Sequence, residues 1–124
     1  MEDFDALTLE ENHRLGMKHF NAGRFFPAHE AWETAWKQAR GTPDEEFFKG
    51  LSQLGAGYVH YRRGNPHGAR TLIRRALSRV SRYGPRHHGV DVTRLAGIAE
   101  GHARAFEEAE QGSSSMPSVD PPTI

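Results

Sequence analysis

Two segments of the chain carry polar side chains at positions where a helix would normally place core residues. On a helical wheel, residues 20–36 present an imidazole, a carboxylate and two indoles on one narrow face: His29, Trp32, Glu33 and Trp36. Residues 47–69 present Gln53 and His60 on a similar stripe. Because unpaired polar groups are costly beside an apolar interior, the pattern indicates a binding site or a buried hydrogen-bond network.

The spacing of these residues also predicts a divalent-metal site. His29 and Glu33 are four residues apart, so that one helix face supplies two ligands, and His60 of a neighbouring helix would supply a third. Gln53 or water would complete the coordination. A wider pocket for a small ligand would add three further residues, Glu30, Trp32 and Trp36.

The same side chains suit a hydrogen-bond network that binds nothing, which is the commoner role of buried histidines. The cofactor prediction is therefore either a divalent metal or none. No reaction follows from these residue types, so the sequence leaves open whether the protein is an enzyme.

Capping residues and helix-ending glycines predict five helices and no strands. Thr8 and Glu11 form a capping box that opens the first helix. We expect Pro27 at the first position of the second helix, Thr42 as the N-cap of the third, and Asp91 as the N-cap of the fifth. The remaining boundaries are marked by glycines and an Asn-Pro pair: Gly23, Gly41, Gly64, Asn65, Pro66 and Gly84.

Short connections between these helices predict an all-α fold, a compact bundle of about five antiparallel helices built from helical hairpins. We assign residues 1–111 to a single helical domain. The end of the chain, GSSSMPSVDPPTI, has the composition of a disordered segment. Residues 112–124 are therefore expected to form a flexible tail.

Composition limits the class of protein further. The chain has 124 residues, which predicts one domain, and no cysteine, which excludes disulfides and thiolate ligands. Its acidic start, MEDFDALTLEEN, lacks the features of a signal peptide, and no stretch is apolar enough to cross a bilayer. We therefore expect a soluble, cytoplasmic protein without a membrane partner.

The central part of the chain is basic although the whole chain has no net charge. Between Lys49 and Val90 there are eight Arg, one Lys and four His, but no Asp or Glu. Four arginines of the fourth helix form an outward stripe that suits an anion: Arg74, Arg75, Arg79 and Arg82. No aromatic residues are interleaved with them, so we expect no sequence-specific nucleic-acid binding.

Alternatively, this stripe contacts acidic residues of a neighbouring helix or of a second copy of the chain. Contact with a second copy would make the protein a homo-oligomer. The candidate acidic residues are Glu45, Glu46, Glu107 and Glu108. If the basic helix instead contacts an anionic partner or a second copy of the chain, the corresponding function is a protein-interaction module. An aromatic-x-x-Gly element precedes both the second and the fourth helix, at Phe20–Gly23 and Tyr61–Gly64, as in tetratricopeptide hairpins.

Three glycines inside the third helix call for a physical explanation. Gly50, Gly55 and Gly57 each cost about 1 kcal/mol of helix stability relative to alanine. Such a cost is offset where a neighbouring helix comes very close or where a ligand needs space. We expect close helix packing to be the cause.

With these residues in view, the chain resembles a family of small helical proteins, domain of unknown function 309. The resemblance covers about residues 17–80 and rests on two blocks: Phe20, Gly23, Ala28-His29-Glu30, Trp32-Glu33 and Trp36, then Phe48, Gly50-Leu51, Gln53, His60, Arg63-Gly64-Asn65 and Gly68-Ala69. Ser52 departs from the isoleucine common there. The resemblance implies an all-helical fold with a shared polar pocket and implies no particular reaction.

Overall fold

The computed structural model describes residues 2–112 and 115–124, and within them it contains five α-helices. The helices are α1 (Leu9–Asn21), α2 (Phe25–Gln38), α3 (Glu45–Arg62), α4 (Pro66–Val80) and α5 (Val92–Gly112). Short 3-10 turns occupy Phe4–Ala6 and Ser81–Tyr83, and two-residue strands β1 (Arg86–His87) and β2 (Val90–Asp91) pair antiparallel. The predicted all-α class and the number of helices are confirmed.

Side-chain caps explain where three of the helices begin. Thr8 and Glu11 form the predicted reciprocal capping box at α1. The Asn65 side chain accepts from the backbone N–H of Gly68 at the start of α4. The Asp91 carboxylate accepts from the backbone N–H of Arg94 at 3.1 Å, as predicted for the start of α5.

Two predicted helix starts are wrong by a few residues. α2 begins at Phe25, so Pro27 lies at its third position. The N–H groups of the first turn have no acceptor inside the helix, so proline costs no helical hydrogen bond there. α3 begins at Glu45 with Asp44 as its N-cap. Thr42 lies two residues before this N-cap. Its hydroxyl donates to the carbonyl of Ala39 and accepts from the backbone N–H of Asp44, so it bonds no N–H group inside α3.

The small β-hairpin between α4 and α5 was not expected from the sequence. Its two-residue turn consists of His88 and Gly89, with φ of 46° and 78°. Positive φ at both central residues is the requirement of the tight turns that match the twist of a hairpin. Val90 of β2 is fully buried, so the hairpin is tied to the helices through its second strand.

The centre of the fold is α3. It packs against α2 on one side and α4 on the other, while α1 packs on α2 and α5 packs on α4. The core between them is rich in rings, and its largest fully buried side chains include Trp32, Tyr58, Phe20, Phe47, Phe48 and Phe106. Aromatic rings therefore provide much of the buried area in this small domain.

Close helix packing explains the glycines of α3, as predicted. A Cβ at Gly50 would lie 2.5 Å from a methyl group of Val80, and one at Gly57 would lie 2.7 Å from Ile73; both partners belong to α4. On the opposite side, a Cβ at Gly55 would lie 3.1 Å from the backbone nitrogen of His29. α3 is thus held close to two neighbours through positions without side chains.

Residues 115–124 form no helix or strand and lie against the helices. The Tyr61 hydroxyl of α3 exchanges hydrogen bonds with the backbone of Val119, and Asn21 of α1 bonds the backbone of Ile124. Pro122 is buried. Residues 113 and 114 of the predicted tail, and residue 1 of the predicted domain, lie outside the described residues, and the division at residue 111 stays a prediction.

No helix in the described part of the chain has the length and apolar character needed to cross a membrane.

A glycine substitution tests the packing of α3. We expect Gly50→Ala to lower the free energy of unfolding by about 1–3 kcal/mol, because the new methyl group collides with Val80. Gly101→Ala is the matched control: Gly101 is also helical but has no atoms within 4 Å of its added Cβ. It should raise the stability by about 0.5–1 kcal/mol. Urea denaturation measures both values, and equal effects would contradict the packing explanation.

Candidate functional site

Two of the predicted polar residues, His29 of α2 and His60 of α3, meet at a shallow surface groove. His29 and His60 line one pocket of about 190 Å³, whose lining is completed by Phe26, Ala56, Val59 and Arg63. A second pocket of about 180 Å³ shares Phe26, Val59 and Arg63 with the first and adds Gly23, Phe25 and Arg62. The two pockets therefore form a continuous groove between α2 and α3.

Ser52 determines which tautomer the neutral His29 ring adopts. His29 Nδ1 lies 2.9 Å from the backbone carbonyl oxygen of Ser52, which can only accept a hydrogen bond. The Ser52 hydroxyl donates to the carbonyl of His29 at 3.1 Å and is free to accept from the same Nδ1 at 2.9 Å. Neutral His29 therefore carries its proton on Nδ1, and its Nε2 presents a lone pair.

His60 has the opposite hydrogen-bonding arrangement. Its Nδ1 lies 3.1 Å from the side-chain nitrogen of Asn65. The oxygen of the same Asn65 amide accepts from the backbone N–H of Gly68 at 3.0 Å, which fixes the orientation of the amide. His60 Nδ1 is therefore an acceptor, so the neutral ring carries its proton on Nε2. The groove contains one imidazole that accepts through Nε2 and one that donates through Nε2.

Glu33 extends the accepting end of the groove. One of its carboxylate oxygens is 3.8 Å from His29 Nε2, and the other is 3.7 Å from the ammonium group of Lys37. His29, Glu33 and His60 do not form a group in which three ligand atoms lie within 4.8 Å of one another; in the residues that the structure describes, Asp44, His87 and His88 do. A metal site built from His29, Glu33 and His60 stays a prediction.

The other predicted pocket residues lie around the groove or away from it. Trp32 is fully buried and faces α1, while Glu30 is exposed and lines a separate surface pocket next to Glu2 and Phe4. The ring of Trp36 lies under the ammonium group of Lys49, at 5.0 Å. Trp36 Nε1 and Gln53 Oε1 are buried without a hydrogen-bond partner in the described residues.

Trp32 takes part in a buried hydrogen-bond chain that the sequence did not indicate. Its indole N–H donates to His13 Nδ1 at 3.1 Å, and His13 Nε2 lies 2.8 Å from the carbonyl oxygen of His88. Because an indole N–H only donates, His13 is neutral and donates its own proton to His88. Burial lowers the pKa of His13, and the positive charge that His88 and His87 can carry lowers it further.

The hydrogen-bond chain that starts at Trp32 reaches the backbone of His88, whose side chain belongs to a compact cluster with Asp44 and His87. His87 Nε2 is 2.7 Å from one carboxylate oxygen of Asp44, and His88 Nε2 is 2.7 Å from the other. Burial opposes ionisation of Asp44, but the hydrogen bonds from His88 and His87 outweigh it and lower the pKa of the carboxyl group. Asp44 and the hairpin are thereby joined across 43 positions of the sequence.

The sequence contained one signal for this cluster, the adjacent pair His87-His88 between Gly84-Pro85 and Gly89. Two successive imidazoles in a short connection are a candidate for ligand binding. Asp44 had no such signal, because an aspartate next to Pro43 at a helix start is ordinarily explained by capping. Its partnership with the histidines depends on the tertiary structure.

The predicted anion-binding arginines of α4 divide into two pairs. Arg74 forms ion pairs with Glu107 and with Glu100, the latter at 3.4 Å, and Arg79 pairs with Glu46 at 3.3 Å. Arg75 and Arg82 are exposed, and neither forms an ion pair within the described residues. Half of the stripe thus contacts acidic residues of α3 and α5 in the same chain, which was the alternative interpretation.

The described residues form a small all-helical domain with a shallow groove between its second and third helices. Residues 13–72 match the model of the family described as Domain of unknown function (DUF309), which confirms the resemblance over those residues. No curated protein and no solved structure is significantly similar to the chain.

The buried chain from Trp32 to His88 predicts a pH dependence of stability. The pKa of His13 is lowered in the folded protein, so its contribution is present above about pH 6.5, its unfolded value, and is lost as the pH falls toward the folded pKa. We expect His13→Gln to lower the stability at pH 7.5 by about 1–3 kcal/mol, through the lost hydrogen bonds.

Between pH 7.5 and 5 the variant should lose less stability than the wild type does. His102, whose pKa burial also lowers, is present in both proteins and cancels in the comparison. Urea denaturation at several pH values gives the two curves. Parallel curves would show that His13 does not contribute to the pH dependence.

The two arginine pairs of α4 predict different effects of charge removal. Replacing Arg74 and Arg79 by Gln should lower the free energy of unfolding by up to about 1 kcal/mol for each arginine, because each loses a partly exposed ion pair. The matched double variant of Arg75 and Arg82 should stay within about 0.5 kcal/mol of the wild type. Thermal or urea unfolding distinguishes them, and a larger effect in the second variant would contradict the assignment.

Proposed function

We propose that the groove between α2 and α3 binds a small zwitterionic molecule with an ammonium group at one end and a carboxylate at the other, such as a free amino acid. The observation that carries this proposal is that two imidazoles lining one pocket adopt opposite tautomers in their neutral form: His29 accepts through Nε2 and His60 donates through Nε2.

The accepting end suits an ammonium group. Ammonium carries three donors and no acceptor, and it requires partners with lone pairs. His29 Nε2 and the neighbouring carboxylate of Glu33 supply them, 3.8 Å apart. The carboxylate also provides the negative charge that makes such a hydrogen bond stronger than a neutral one.

The donating end suits a carboxylate. His60 offers Nε2–H, and Arg63 offers a guanidinium group, which can bind a carboxylate through two parallel hydrogen bonds. Arg63 is exposed, and among the described residues it forms no ion pair that a ligand would have to break. The neighbouring Arg62 is less available, because it donates to the carbonyl of Gly23 and stacks over Phe25.

The middle of the groove is apolar. Ala56, Val59 and Phe26 separate the two polar ends, and Phe26 is 52% exposed although it is a large hydrophobic residue. A pocket of about 190 Å³ is below the usual size of drug-binding sites, so it suits a ligand of few atoms. A ligand with a small aliphatic side chain would cover part of the exposed ring.

The metal-binding interpretation of His29, Glu33 and His60 has less support. A metal ion needs a lone pair from each ligand, whereas His60 uses its Nδ1 lone pair with Asn65 and holds a proton on Nε2. The interaction module keeps one supporting observation, the exposed and unpaired Arg75 and Arg82 of α4 in the described part of the chain. Two guanidinium groups are a small basis for a protein interface.

Leucine and two analogues that each lack one charged group test the proposal. We expect leucine to shift the backbone amide NMR signals of Phe26, Ala56 and Val59. Its amine analogue without the carboxylate (isopentylamine) and its acid analogue without the amine (4-methylpentanoate) should each bind at least about tenfold more weakly, because each leaves one polar end of the groove unfilled.

Variants assign the two ends. Glu33→Gln should weaken the binding of leucine more than it weakens the binding of the acid analogue. Arg63→Gln should weaken the binding of leucine more than it weakens the binding of the amine analogue. Arg75→Gln removes the same charge from an exposed position outside the groove and should leave binding unchanged. Equal affinities for leucine and both analogues, or no shifts in the groove with any of them, would refute the proposal.

A further inference from the structure

We propose that Asp44, His87 and His88 form a binding site for one divalent transition-metal ion, separate from the groove between α2 and α3. The site lies at the N-terminal end of α3, whereas His60 of the groove lies near its C-terminal end. His87 and His88 also lie outside residues 13–72, which the family model covers.

The first argument is the convergence of three ligand atoms. One nitrogen of each imidazole and a carboxylate oxygen all lie within 4.8 Å of one another. Ions such as Zn²⁺ bind imidazole nitrogen and carboxylate oxygen at about 2.0–2.2 Å, so their ligand atoms are separated by about 3–3.5 Å. The present hydrogen bonds of 2.7 Å need only a small opening to admit an ion.

The second argument is the backbone that aims both imidazoles in one direction. Successive side chains of an extended strand point to opposite sides, so His87 and His88 would normally diverge. The left-handed backbone of His88, with φ of 46°, reverses this tendency and brings the two ring centroids within 4.7 Å. His13 then holds this backbone through the carbonyl of His88.

The third argument is that the site can bind an ion without losing or gaining a proton and without a further reactant. When both imidazoles are in their neutral form, each Nε2–H donates a hydrogen bond to Asp44. When an ion binds, each proton moves to Nδ1, both Nε2 lone pairs and one carboxylate oxygen coordinate the ion, and the charge of the cluster changes from −1 to +1. Protonation of the imidazoles at low pH competes with the ion.

Ligand type and exposure indicate which ions suit the site. Two imidazoles and one carboxylate favour Zn²⁺, Co²⁺ or Ni²⁺ over Mg²⁺ and Ca²⁺, which prefer oxygen ligands alone. The side chains of Asp44, His87 and His88 are 32%, 32% and 31% exposed. The ion therefore has open positions for water.

Metal binding would also join two distant parts of the fold, because the ligands of the ion come from the start of α3 and from the hairpin between α4 and α5. An ion that binds the folded protein and not the unfolded chain stabilises the fold by mass action. The melting temperature should therefore rise with the zinc concentration.

Zinc titration of the metal-free protein, without a histidine tag, tests the proposal. We expect one Zn²⁺ per chain by calorimetry and a rise in melting temperature at pH 7.5. Asp44→Asn, His87→Gln and His88→Asn should each weaken binding at least about tenfold. The Asp44 side chain makes no capping hydrogen bond to α3, so asparagine removes none there. Asparagine also tolerates the left-handed backbone at position 88.

Two control variants should bind zinc as the wild type does. His67→Gln disrupts another imidazole–carboxylate pair, formed with Glu110 at 2.6 Å, and His29→Gln changes the groove. In the wild type, the imidazole ¹⁵N signals of His87 and His88 should move on zinc addition, which needs no variant to fold. Absence of zinc binding by the wild type, or binding by the three ligand variants as tight as that of the wild type, would overturn the proposal.

Discussion

The close approach of α3 to its two neighbours is the constraint on which the rest of the structure depends. Gly50 and Gly57 admit α4, and Gly55 admits the backbone of His29 from α2. A side chain at position 55 would push the two backbones apart, and the contact between His29 and Ser52 would be lengthened. The helix cost of these glycines is thus offset by packing, and the same packing sets which nitrogen of His29 carries the proton.

The histidines show how one residue type takes different roles in different surroundings. His13 is almost fully buried and has a fixed donor and a fixed acceptor, so it behaves as a structural hydrogen-bonding group. His29 and His60 have one nitrogen bound to the protein and the other left at the groove. His87 and His88 share a single carboxylate at the surface. The partner of the first nitrogen determines what the second nitrogen can do.

Helix α3 connects the two candidate sites. Asp44 is its N-cap and belongs to the metal cluster, while His60 lies in its last turn and belongs to the groove. The hydrogen-bond chain from Trp32 through His13 to His88 connects α2 with α1 and the hairpin, whereas His29 of α2 bonds Ser52 of α3. Helix α2 therefore lines the groove through His29 and supports the hairpin through Trp32, although no direct hydrogen bond joins the two sites within the described residues.

Much of the fold was determined locally and could be predicted from the sequence. Helix starts at Thr8, Asn65 and Asp91 depend on groups three residues away, so their capping signals are visible without a structure. The meeting of His29 and His60 was also predictable, because both lie on polar stripes of helices that are adjacent in the chain. The packing of Trp32 against α1 was not predictable, because a helical wheel gives the direction of a side chain and does not say which helix lies in that direction.

The tertiary structure alone decided which distant groups became partners. Asp44 and the His87-His88 pair are more than forty positions apart, and Arg74 and Glu107 are 33 positions apart. Such pairings depend on how whole helices pack and on the turn at His88. Histidine does not require a positive φ, so the sequence did not predict this turn. Sequence patterns record local periodicity and capping, whereas the protonation and pairing of these side chains follow from contacts that form only when the chain has folded.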